Sequence, residues 1–478
     1  MARPRSPCSR SSTDLYRSMR PYLRRSGWVV LMLVCLVTSQ DLPPASPPKG
    51  RVAALETKSP LSPAELRTTD GAIALSNLQG QIAAEERRAS SGPLTVSQGA
   101  TIVELLIMRG QFLGRIVDYE QAEALAEQLV GEAPSDGRAF LARAQARTTL
   151  HRFPEALADL AEAERLGVNS DRCAAVRATI FQASGRYDEA LAIRQHLTQA
   201  RPDIRSLGAE AAVRAERGEI DAAERLFVKA QQQYRDVSPF PVVWLYFQQG
   251  LMWRWAGNLE RARVAFEAAS TRLPGYAAAQ GHLAMVEADL ARRERAMAVF
   301  HRWMQEDNLE QARQGSQVTH TVEAAAWGRY ERALALLRQQ ANSSDDPEYA
   351  SQLARLLKEV GQLDEAHHWR EVAAARYDEL MVRHPEAFAD HAAEFWLTVG
   401  GDAHKGRLLA EQNFETRKTP RAYELVLQAA VATQETTAVC HMTEPLWTVN
   451  QMGPRLRALA VRALTTCRRL SPSSEGQQ

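Results

Sequence analysis

The chain has 478 residues, 45% hydrophobic and 24% charged, with a formal net charge of +1. That balance excludes a strong electrostatic pull toward nucleic acid or an anionic membrane surface. The length allows one large domain or two to three medium ones, and abundant alanine favours helix.

Taken in chain order, the first predicted element is a targeting segment. Arg17, Arg20, Arg24 and Arg25 precede an unbroken apolar run from Trp28 to Val37, followed by Thr38, Ser39 and Gln40. A basic start, a short apolar run and small residues at its end are the parts of a secretory signal. The run is shorter than the roughly 20 residues a membrane span needs. Residues 1–39 therefore read as a signal cleaved near Ser39, with Met19 as an alternative start. The expected location is exported, periplasmic or envelope-associated. An inner-membrane anchor at 28–37 is the other reading, and the only membrane contact expected. Residues 40–99 read as a tether: dense prolines from Asp41 to Pro63 remove backbone donors and prevent helix. A weakly periodic helix follows, over about 64–88.

From residue 100 the chain repeats itself. The motifs VDYEQA (117–122), HRFPEA (151–156), GRYDEA (185–190), GEIDAA (218–223), GNLERA (257–262), GRYERA (328–333) and GQLDEA (361–366) recur, with a weaker ARRERA at 291–296. Their closing alanines, from Ala122 to Ala366, are spaced 34, 34, 33, 39, 34, 37 and 33 residues apart. A period near 34 predicts paired helices of about 13–15 residues. The glycine ends the first helix in a left-handed conformation. The hydrophobic residue two positions on, Leu363 in the last motif, packs into the pair. The alanine lets the helices approach, and Pro134, Pro202, Pro274 and Pro385 punctuate the units. One pair cannot bury its own apolar face, so stacking makes the core.

These motifs resemble the tetratricopeptide repeat family, over about residues 103–376. The resemblance implies an all-α fold, a right-handed α-solenoid of helix-turn-helix repeats whose concave groove is lined by the first helix of each pair. It also implies a groove that binds a protein or peptide segment, with no catalytic residues and no cofactor. Residues 100–384 are the expected solenoid, and 385–468 a set of degenerate helical repeats and C-terminal cap. Residues 469–478 are expected to be a disordered tail.

Candidate chemistry is sparse. DEAH within GQLDEAHHW (361–369) lacks any glycine-rich phosphate loop elsewhere in the chain. Asp364 and Glu365 instead suit the first turn of a helix, where the dipole favours acids. His367 and His368 are adjacent and diverge by about 100° on a helix. His391 and Glu394 have helical pair spacing, yet two ligands fall short of a zinc site. The chain is accordingly expected not to be an enzyme. The strongest functional lead is WLYFQQGLMWRW (244–255). On the family's geometry Tyr246, Gly250 and Trp253 pack inward. Trp244, Phe247, Gln248, Leu251, Arg254 and Trp255 face the groove, with Arg205 and Glu216 on one side and His282 and Met285 on the other. Exposed aromatics with arginine suit a binding hot spot, although the same aromatics also suit plain packing. Cys440 and Cys467 flank a break at 450–454, and a disulfide between them would staple the cap in an oxidising compartment. Two functions remain open: a non-enzymatic protein-interaction scaffold of the bacterial cell envelope, and an accessory factor for envelope polysaccharide or wall-polymer export that stacks sugar on the aromatics.

Overall fold

The structure, a computed structural model, describes residues 66–92, 94–305, 309–434 and 460–461. Cys440, Cys467 and the signal segment 1–39 lie outside the described residues. The chain divides into two compact units: residues 60–294 with 320–478, and residues 1–59 with 295–319. The pairing and the site belong to the first of these.

The described residues contain eighteen helices and no strand. They are α1 (Gly71–Ser91), α2 (Val96–Leu113), α3 (Ile116–Glu132), α4 (Gly137–Thr149), α5 (Phe153–Arg165), α6 (Ser170–Ala183), α7 (Tyr187–Ala200), α8 (Ile204–Glu216), α9 (Ile220–Gln233), α10 (Phe240–Trp255), α11 (Leu259–Arg272), α12 (Ala277–Gln305), α13 (Leu309–Ser343), α14 (Pro347–Glu359), α15 (Leu363–Arg383), α16 (Pro385–Leu397), α17 (Ala403–Thr416) and α18 (Pro420–Ala432). From α2 onward they pair in sequence, α2 with α3, α4 with α5, and so on to α16 with α17, leaving α18 as the first helix of a ninth position.

Two kinds of start build each pair. Six first helices begin at a side-chain cap: Thr95 with Gln98 closes a capping box on α2, and Asp136, Asn169, Asp203, Asp346 and Thr419 cap α4, α6, α8, α14 and α18. Asn258 caps α11 and Asp402 caps α17, but the second helices α5, α7, α9 and α15 start straight from the joint and lack such a cap. They carry acids in the first turn instead, such as Glu155, Asp188 with Glu189, Asp221, and Asp364 with Glu365, which satisfy the dipole. Gly185 and Gly361 hold φ of 86° and 84° at their joints. His151 stands where a glycine is usual and is held at φ 56°, a conformation that costs a residue with a Cβ.

The alanines close the pairs as their spacing requires: Ala122, Ala156, Ala190, Ala223, Ala262 and Ala333 are wholly buried. Leu160, Phe227, Phe266 and Leu337 fill the core four residues on. Each such side chain contributes about 1.5–3 kcal/mol by leaving water.

Four expectations need correction. ARRERA (291–296) is not a joint; it lies inside the 29-residue α12, and Ala296 is only partly buried. With Ala291 in place of glycine and Arg293 in place of the apolar residue, the helix simply continues. Gly328 likewise sits inside the 35-residue α13 and ends nothing. Leu363 does not pack into its pair: it is 63% exposed, because the joint around Gly361 faces open space. Finally, α1 is no loose tether element. Asp70 caps it, and Leu78 and Ile82 are buried against Ile102, Val103 and Leu106.

The pairs also return on themselves. Joints of the first three pairs meet the starts of the first helices of the seventh, eighth and ninth positions. Asp345 accepts from Ile116 N at 2.7 Å and Val117 N at 3.0 Å. It thereby caps α3, whose own N-cap residue Arg115 offers no side-chain acceptor to the helix start. Glu120 meets Arg383 and, at 2.9 Å, His384 Nε2. His151 Nδ1 lies 3.2 Å from Glu386 O. Lys418 N donates to Ser184 O at 3.1 Å, and Arg417 Nε to Ala183 O at 3.1 Å. Backbone-to-backbone bonding between such distant stretches makes this a built seam rather than a grazing contact.

Candidate binding face on the first helices

The first helices of the later pairs carry a connected set of charged side chains. Glu348, in the first turn of α14, receives three side-chain donors: Tyr377 Oη at 3.0 Å, Gln352 Nε2 at 2.6 Å and His391 Nδ1 at 3.0 Å. Asp390, next to His391 on α16, is nearly buried and receives Arg417 Nη1 at 3.0 Å, with Arg421 Nε at 3.5 Å. Arg421 also donates to Glu394 at 2.8 Å, and Arg355 reaches Glu394 Oε1 at 3.3 Å and Met285 Sδ at 2.9 Å. Acids and bases thus alternate across α14, α16 and α18, with Met285 of α12 at their edge.

The charges reinforce one another. Burial alone would lower His391, but the charges of Asp390 and Glu348 outweigh it and raise it to about 9. His391 is therefore a cation at neutral pH. Burial pushes Glu348 up, yet His391, Arg421 and its other donors hold it well below the usual carboxylate range. Asp390 is held low in the same way by His391, Arg417 and Arg421. Water still reaches the set, because His391 and Arg421 keep 40% and 42% of their side-chain exposure. A charged surface walled by protein yet wetted can exchange its water for a ligand's polar groups.

The candidates on α10 divide. Arg254 donates to His282 Nδ1 at 3.2 Å, and His282 is stacked on Phe266 at 5.3 Å. Burial first, and then Arg254, lower His282 to about 3, so it stays neutral. The charges of Glu348, Arg421 and His391 also act on it, which places this pair beside the charged set. Phe247 packs between Phe266, Tyr276 and His282. Leu251 packs against the core around Phe266, and Trp244 against that around Leu245 and Phe227, close to Gly208. Gln248 is half-buried, and Trp255 is 44% exposed at the end of α10. Tyr246 and Gly250 are buried as expected, and Trp253 lies under Arg261. Arg205 is exposed in the first turn of α8 and near Tyr234. It is not joined to the set by any described contact. Of the flanking residues, Met285 meets Arg355, and Glu216 turns to Gln182 at 2.6 Å, where burial raises it to about 7.

Sequence reasoning missed Glu348, Arg355, Asp390, Arg417 and Arg421. One signal was present: Glu348 and Arg355 lie two helical turns apart on one first helix, as His391 and Glu394 lie one turn apart on the next. In the DEAH stretch, Asp364 is exposed, Glu365 pairs with Arg338 at 2.7 Å, and His367 and His368 are exposed. Among the described residues, no three His, Cys, Asp or Glu side chains form a group that could hold a metal. No described helix is long and apolar enough to cross a membrane.

No protein-family model matches the chain, and no curated protein sequence is significantly similar to it. Solved structures do resemble it. A human IFIT1 dimer with m7Gppp-AAAA is 17% identical over 63% of this chain and 77% of that one, with a TM-score of 0.35. Yeast Tom70 is 12% identical over 84% and 97%, with a TM-score of 0.32. The TPR domain of P58(IPK) is 14% identical over 79% and 99%, with a TM-score of 0.20. Likeness at this level bears on neither substrate nor partner. By its own sequence period and its stacked helix pairs, the chain is an all-α solenoid of tetratricopeptide-like repeats.

Proposed function

We propose that the protein is a non-enzymatic scaffold that holds a segment of a partner protein against the first helices of its repeats. The observation that carries this reading is the wetted charged set of Glu348, Arg355, His391, Glu394 and Arg421. Its members are fixed by one another, so their geometry is pre-organised, and ordered charges favour a partner without a large entropic penalty. The basic and apolar start of the sequence supports a place in the bacterial cell envelope. The sugar-binding reading has less support, since Phe247 and Trp244 are engaged in packing and leave Trp255 as the exposed ring of α10.

Site-directed photo-crosslinking tests the proposal. A photoreactive residue at position 421 or 355 should capture a discrete partner in cells, and one at exposed Val264 on α11 should not. Capture from Val264 with none from 355 and 421 would overturn the reading. Glycan binding lost on Trp255→Ala would favour the sugar reading.

A further inference from the structure

Away from the charged set, a cavity of about 420 Å³ opens on the first helices of the first three pairs. Its walls include Ile107 and Met108 of α2, Gln145 and Thr148 of α4, and Val176 and Thr179 of α6. Into it comes Arg194, from the second helix α7. Arg194 differs from most arginines of this chain. Arg109, Arg143, Arg147, Arg214, Arg329 and Arg338 each face a carboxylate at 2.6–2.8 Å. Arg194 has no carboxylate partner among the described residues: its one hydrogen bond runs from Nη2 to Thr179 Oγ1 at 2.8 Å. Its Nε is buried and donates to nothing. Glu104, the one acid lining the cavity, is paired with Arg172 at 3.3 Å. Burial without an opposing charge lowers the Arg194 guanidinium to about 10, which leaves it charged at neutral pH.

A buried donor left without an acceptor is costly, and more so when charged. A fork of donors set among aliphatic walls and side-chain amides is the surface that a carboxylate completes. We propose that this cavity is a specificity pocket for one acidic side chain, aspartate or glutamate, of an extended partner segment. Three features select that occupant. A single guanidinium balances a monoanion, whereas a phosphate dianion calls for further cations that the cavity lacks. Ile107, Met108 and Val176 suit an apolar residue beside the acid. The amides of Gln111 and Gln145, on adjacent first helices, can bond a peptide backbone that runs across them. The proposal rests on the reading that the first helices hold a partner segment, and it adds the residue type that is read there.

Fluorescent nonapeptides with a central Asp or Asn between leucines, and phosphoserine counterparts, provide the probes. They are titrated against the full chain, its Arg194→Gln variant and its Arg194→Lys variant, with circular dichroism to confirm folding. The wild type should prefer the Asp peptide over the Asn peptide by about tenfold or more, the scale of one charge-assisted hydrogen-bonded pair. Arg194→Gln should abolish that preference, and Arg194→Lys should keep part of it. Peptides bound equally well by wild type and Arg194→Gln would overturn the pocket while leaving the scaffold reading in place. A phosphoserine peptide that binds tighter than the Asp peptide through Arg194 would overturn the choice of occupant. Failure of the wild type to bind any peptide would remove both.

Discussion

His391 sits between two carboxylates, and its charge holds both of them ionised. The pH consequence follows from its raised value. An unfolded histidine titrates near 6.5, and the folded one at about 9. The contribution to stability is thus fully present below about pH 6.5 and is lost as pH rises through 9. His391→Gln should melt below the wild type at about pH 6, and the gap should close by about pH 9.5. A gap that stays constant across that window would show that His391 is not charged in the folded protein. Glu348 and Asp390 are held low and Arg421 high, so they keep their charge over this range, while Asp346, raised by burial to about 6, titrates at its lower edge. None of this was legible in the sequence beyond the spacing of His391 and Glu394. What makes the histidine a cation is Asp390, its neighbour in the chain, together with Glu348, some forty residues away and on another helix.

At the scale of the element, the repeat joints were the most legible feature of the chain. A glycine, an apolar residue and a closing alanine at fixed offsets define a local geometry, so the sequence carries it without help from distant residues. Legibility failed where distant contacts decide. Gly185 and Gly361 look equivalent in sequence and share a left-handed φ, but a Cβ on Gly185 would lie 2.5 Å from Lys418 O, while one on Gly361 would meet nothing within 4 Å. Gly361→Ala should therefore cost only the left-handed strain, about 1–2 kcal/mol. Gly185→Ala should cost that and a further loss of about 1–3 kcal/mol for the forced contact with the seam. Denaturant unfolding of the two variants measures both. Equal losses would mean that the joint at 185 carries no contact with 418. The same reasoning explains Leu363. Its motif promises packing, but no neighbour covers that joint, and the side chain is left in water.

Across the larger unit, composition and period were enough for the all-α solenoid, because alanine at a fixed spacing can serve little else than close helix packing. They could not show that the first three pairs seat on the last three. That seam is made of backbone atoms and single side chains such as Asp345, which have no periodic signature. It adjoins the charged set, since Arg417 bonds both Ala183 O and Asp390. The most direct measurement of this account is disulfide trapping of Ser184→Cys with Lys418→Cys, with the native cysteines replaced. The bond from Lys418 N to Ser184 O joins the two backbones directly, and a disulfide needs Cα atoms about 4.4–6.8 Å apart. The account predicts that mild oxidation links the two positions nearly completely in the folded protein, as read by mass spectrometry of unreduced peptides. Two free thiols persisting in a folded, helical protein would contradict it.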